Sequence, residues 1–258
     1  MPTVNALSSS IKSADGDGRT SPIDPAGLST PAQEAAWDGL QQRVSITLRP
    51  IASPVSLGLF GLAAATLTMS GLQLGWVAPA EGKNVALALI GFAFVAQITA
   101  ALFAMIARDG TVATAMGVLG LTWLVIGLTM YTSPPGSTSD ALGLFLVFTA
   151  VAMALNALTS SLSKVVPALV FGTASLRFLL TAIYQMSGSD AWKKTSGVVG
   201  LVLFALAIYA AWASELEEAT GKSVLPMGRR NKGRIAVEGS LFEQVRDAPN
   251  KPGVRTML

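Results

Sequence analysis

Seven stretches of this chain carry no charge: 51–80, 84–107, 111–139, 141–163, 165–176, 178–189 and 195–214. Crossing the hydrocarbon of a bilayer takes roughly 20 apolar residues at about 1.5 Å each. A single arginine, Arg177, separates the fifth stretch from the sixth, so those two join into one segment of spanning length. The pattern requires an integral membrane protein of the all-α class with six transmembrane helices. A membrane barrel would need alternating strands of about 10 residues, and none can be traced. Only 13% of the 258 residues are charged, where a soluble domain carries about 25%.

The spans are expected near 54–76, 84–107, 111–131, 141–162, 165–186 and 195–216. "APAEGKN", "RDG", "TSPPGSTSD", "SK" and "SGSDAWKK" separate them. Gly, Pro, Ser and charges are the usual punctuation between elements. The shortest of these loops make their flanking helices antiparallel neighbours.

Lys and Arg near the span ends set the orientation. One side collects Arg43, Arg49, Arg108, Lys164, Lys222, Arg229 and Arg230, and the other Lys83, Lys193 and Lys194. Seven against three places both termini in the cytoplasm, with Trp76, Tyr131, Tyr184 and Trp192 at the outer interface. The expected location is the cell membrane, as a multi-pass protein. The transmembrane domain takes residues 50–220. Residues 1–31 read as a disordered tail rich in Ser, Gly, Asp and Pro, without an apolar run fit for a signal peptide. Residues 32–49 read either as an interfacial helix, with Trp37, Leu40 and Val44 on one face, or as a linker turn. Residues 221–258 form a basic cytoplasmic tail facing anionic lipid, in keeping with a pI near 9.3, and not a nucleic-acid site.

The chain has no cysteine and no histidine. Disulfides, thiol nucleophiles, imidazole relays and most transition-metal sites are excluded. No nucleophile with a base and no paired acids fall in the spans, so neither an enzyme nor a cofactor is expected.

The first span opens on "SPVSLGLFGLAAATL". Pro54 is harmless if the helix starts there, because first-turn N–H groups have no intrahelical partner. Ser53 is the expected cap. The free N–H groups of that turn form a weak anion site near Ser53–Ser56. Gly58 and Gly61 admit the close approach of another helix or of a solute. Small residues also recur three or four apart at Ala93, Ala96, Ala100 and Ala104, and at Gly197 and Gly200. Tight helix contacts are the first reading of these stripes, and pore lining the second.

"SPVSLGLFGLA" resembles the Asn-Pro-Ala-Pro-Leu-Gly-Leu signature of the acetate uptake transporter family, the succinate–acetate permeases. Pro54, Leu57, Gly58 and Leu59 match, while Ser53, Val55 and Ser56 depart. Residues 96–123 are similar to the family's second and third spans at Ala96, Gln97, Ala100, Leu102, Thr114, Ala115, Gly120 and Trp123. Residues 197–228 resemble its last span and tail, with Tyr209, Glu215, Gly221, Leu225, Pro226 and Gly228 among the matches. The resemblance implies a six-helix subunit, assembled as a hexamer, with its own path for acetate, succinate or similar carboxylates. The family's constriction falls on Leu62, Leu119 and Ala174, none identical to the family residue, and a family glutamate falls on Ala104. The neck implied here is apolar.

Arg177 stands near the middle of the fifth span. A central arginine costs about 3 kcal/mol on insertion scales, and no Asp or Glu lies in the interior of any span to pair with it. It either reaches outward to water, carbonyls or Asp140, or faces a water-filled path as an anion attractor. Gln97 is a second pathway candidate. Asn156 is expected to bond between helices. With no titrating relay in the membrane, a channel or movement of the undissociated acid is the simplest mechanism. Two alternatives remain: a non-transporting structural subunit of the same fold, and a pore for ammonia or another small neutral solute.

Overall fold

The computed structural model describes residues 52–230. The tail at 1–31, the segment at 32–49 and residues 231–258 lie outside the described residues. Six helices are long and apolar enough to cross a membrane: α1 (Val55–Leu74), α2 (Pro79–Ile106), α3 (Gly110–Thr132), α4 (Asp140–Ser161), α5 (Val165–Ser187) and α6 (Asp190–Thr220). The expected spans are thus confirmed, with α6 longer at both ends than its charge-free run.

Local chemistry explains where the helices start. The Asp109 side chain accepts from the Val112 N–H at 3.1 Å and caps α3. The Ser139 side chain accepts from Leu142 N–H at 3.3 Å and caps α4. At α1 the cap residue is Pro54 rather than the expected Ser53, and no side chain caps this helix. Pro54 already has near-helical angles, φ −79° and ψ −3°, the first of them set by its ring. Its carbonyl accepts the Gly58 N–H at 3.2 Å. Within α2, Leu89–Phe94 form a π turn, a widening that the hydrophobic pattern does not signal.

Each helix packs against the next in sequence, and α6 returns to α1, so the six close a ring. The alanine stripe of α2 faces the glycines of α1. A Cβ at Gly58 would sit 3.0 Å from Ala100 Cβ and 2.7 Å from Met116 Sδ. At Gly61 it would lie 3.0 Å from Ala96 Cβ. The close-packing reading of this stripe therefore holds.

The chain after α6 folds back on the start of α5. Gly228 O accepts from Val165 N–H at 3.0 Å and Met227 O from Val166 N–H at 3.2 Å. Two first-turn donors that a helix leaves orphaned are satisfied in this way. The Tyr209 hydroxyl donates to Pro226 O at 2.9 Å, Arg229 pairs with Glu217, and Met227 is buried. Tyr209, Pro226 and Gly228, which carried the resemblance at this end, build one clasp.

Candidate solute pathway

Arg177 sits ten residues before the end of α5 and is 2% exposed. Its side chain projects into the ring. Its Cζ lies 5.5 Å from the Trp123 ring centroid of α3. A Cβ at Gly200 of α6 would come 2.8 Å from Arg177 Nε and would overlap Ser70 Oγ of α1. Only a glycine there leaves the guanidinium its place. Among the described residues Arg177 makes no ion pair, and its Nε and Nη1 have no hydrogen-bond partner. Trp123 Nε1 and Ser70 Oγ are likewise buried and unpartnered. Arg177 therefore does not tie to Asp140 or to backbone carbonyls; it belongs to a cluster of unpartnered donors inside the ring.

One helical turn above this cluster lies a second polar layer. Gln73 is three residues after Ser70 on α1, Thr181 four after Arg177 on α5, and Ser196 four before Gly200 on α6. Residues so spaced share a helix face about one turn, 5.4 Å, apart. Thr181 and Ser196 share a hydroxyl hydrogen bond at 2.6 Å, and Gln73 Nε2 donates to Ser196 Oγ at 3.5 Å. Gln73 and Thr181 also line a vestibule of about 100 Å³ that opens at its mouth. Thus the vestibule floor and the arginine cluster are consecutive layers.

Deeper still, the ring is apolar. Leu62, Leu119 and Ala174 are fully buried in one core cluster with Phe178 and Leu203. Ala174 is three residues below Arg177 on α5, and Leu119 four below Trp123 on α3. Of the three positions transferred from the family constriction, Ala174 and Leu119 therefore stand about one turn below the arginine layer, and Leu62, eight residues before Ser70 on α1, about two turns below it. Ala104 is also fully buried.

The other sequence candidates fall elsewhere. Ser53, Pro54 and Ser56 are half-buried, Gly58 and Leu59 are buried, and Leu57 is exposed at 43%. They lie at the far end of α1 from the vestibule, about three to five turns from Ser70. Gln97 is buried and donates through Nε2 to the Gly58 carbonyl at 3.3 Å, tying α2 to α1; its Oε1 has no partner. Asn156 bonds back to Ala152 O of its own helix at 2.9 Å, not between helices as expected. Sequence reasoning missed Ser70, Gln73, Thr181, Ser196 and the arginine-facing role of Gly200. Their only signal was polarity spaced by one turn on α1, with the Gly197–Gly200 stripe opposite.

The comparisons with known proteins agree with this architecture. Residues 40–227 match the model of the GPR1/FUN34/yaaH family. The succinate-acetate/proton symporter SatP of Escherichia coli (strain K12) is 30% identical over 187 residues, covering 69% of this chain and 96% of that protein. The Shigella flexneri protein of the same name gives the same figures. Among solved structures, the bacterial acetate channel SatP superposes with a TM-score of 0.62 at 29% identity, over 69% of this chain and 99% of its own. The family resemblance drawn from the three sequence segments is thereby confirmed, and the chain belongs to the GPR1/FUN34/yaaH family.

Proposed function

We propose that this protein carries small carboxylates such as acetate and succinate across a membrane, one path running through the ring of each subunit. The observation that carries the reading is the set of buried, unpartnered donors on Arg177, Ser70 and Trp123, standing between an open vestibule and an apolar layer. A carboxylate supplies the acceptors that these groups lack, and a hydrogen bond to a charged group contributes about 1.5–3 kcal/mol. The same donors would reject a cation. Leu62, Leu119 and Ala174 form the neck below, where an apolar constriction gates by excluding water. Passage requires these side chains to part.

The relatives are named as an acetate channel and as a proton symporter. Here no His exists, and the acids of the six helices, Glu81, Asp140, Asp190, Glu215, Glu217 and Glu218, lie toward helix ends and not mid-membrane. The acid's own carboxyl group is then the proton carrier, crossing the neck in its undissociated form. In this account the vestibule faces outward, both termini are cytoplasmic, and the subunits assemble as a hexamer in the membrane lipid. Capture near Ser53, Ser56 and Leu57 belongs to the opposite mouth, with Pro54, Gly58, Leu59 and Gln97 holding that end of α1 against α2.

The tight packing of the neck layer is also what a non-transporting structural subunit of this fold would show. Uptake of labelled acetate and succinate into proteoliposomes decides between them. Concentration-dependent uptake that the other acid competes for supports transport. No uptake of any small acid leaves the structural reading, and methylammonium entry in its place would indicate a pore for small neutral solutes.

A further inference from the structure

The charges at the vestibule end are sorted. Lys83 and Lys193 line the vestibule, whereas the acids at this end, Glu81, Asp140 and Asp190, do not. Each lysine is held over an aromatic ring: Lys83 Nζ is 5.8 Å from the Tyr131 centroid, and Lys193 Nζ is 6.0 Å from that of Tyr184. Asp190, 77% exposed, stands 3.8 Å from Lys193 Nζ and damps its charge from outside. Glu81 is engaged with Asn84. The vestibule floor carries Gln73 and Thr181, both buried, one turn above the unpartnered Arg177. Positive charge therefore lines the approach at two depths with only neutral polar groups between. A cleft lined by one sign of charge focuses field and raises the local concentration of counter-ions.

We infer that this vestibule is a loading site which selects solutes by charge, favouring dicarboxylates over monocarboxylates through Lys83 and Lys193. The inference rests on the carboxylate-transport reading. Its physics is simple: a dianion interacts twice with the potential that a monoanion feels once, so its enrichment factor is the square of the monoanion's. The lysines need not contact both ends of the solute at once. They set the occupancy of the floor above Arg177.

The test is equilibrium binding of labelled succinate and labelled acetate to the purified full chain in detergent, near pH 7.5, where both acids are ionised. Binding does not require passage, so absence of uptake and absence of charge selection are separate outcomes. Lys83→Gln/Lys193→Gln should weaken acetate binding by about threefold and succinate binding by about tenfold. Raising the salt should shrink the wild-type preference toward the variant's, as the Debye length contracts from about 10 Å at 0.1 M. Lys83→Arg/Lys193→Arg should keep the preference. Asp190→Asn, which removes an exposed acid, should tighten succinate more than acetate. Equal losses for the two acids, a preference insensitive to salt, or no gain in Asp190→Asn would each overturn the loading site while leaving transport itself standing.

Discussion

Replacing Arg177 by methionine should separate the two meanings of a buried charge. Arginine at mid-span costs about 3 kcal/mol on insertion scales. Its placement 5.5 Å from the Trp123 centroid returns about 2 kcal/mol for a desolvated cation–π contact. No carboxylate and no hydrogen bond to Nε or Nη1 adds to that sum. The difference leaves Arg177 a net burden of about 1 kcal/mol, and methionine fills a similar length without charge. For a chain of this size that corresponds to a rise of about 2–4 °C in melting temperature, measurable by thermal unfolding in detergent. Uptake of labelled acetate should move the other way and fall about tenfold or more, from loss of one charge-assisted hydrogen bond. A variant that melts well below the wild type would refute the reasoning, since it would make Arg177 a strut.

Further expectations follow from the same layers. Gly200→Ala places a methyl 2.8 Å from Arg177 Nε, so it should cost about 1–3 kcal/mol in stability and reduce acetate uptake together with it. Leu62→Ala should cost about 2–5 kcal/mol yet speed uptake and admit longer acids, because it loosens the closed neck; transport rates across an acid series read this directly. Tyr209→Phe removes the hydrogen bond to Pro226 O, about 1 kcal/mol. It should lower the melting temperature by about 2–4 °C with little change in the affinity for acetate.

How far the sequence reaches into this structure depends on the range of the interaction involved. Spans were legible because charge is excluded from hydrocarbon residue by residue, so the breaks at Arg108–Asp109 and Lys164 mark themselves. The packing of Gly58 and Gly61 on Ala100 and Ala96 was legible because small residues on one helical face have one common use in lipid. Arg177 could be singled out, but its surroundings could not. Gly200, Ser70 and Trp123 come from α6, α1 and α3, and only the closure of the ring brings them together. The capping of α5 by Gly228 and Met227 was hidden for the same reason: the tail reads as basic and lipid-facing, while its backbone carbonyls meet Val165 and Val166. Ser53 was misplaced as a cap because proline's fixed φ lets Pro54 take that position itself.

Because the chain contains no cysteine, a single introduced thiol reports its own position without background. Thr181→Cys puts that thiol on the vestibule floor, one turn above Arg177. Proteoliposomes carrying it are treated with a membrane-impermeant, negatively charged methanethiosulfonate, and labelled acetate uptake is then followed. A solute path through the ring predicts that modification abolishes uptake in Thr181→Cys, leaves the wild type untouched, and is slowed by excess acetate. Full uptake through protein shown by mass spectrometry to be completely modified would contradict a path at the centre of the six helices.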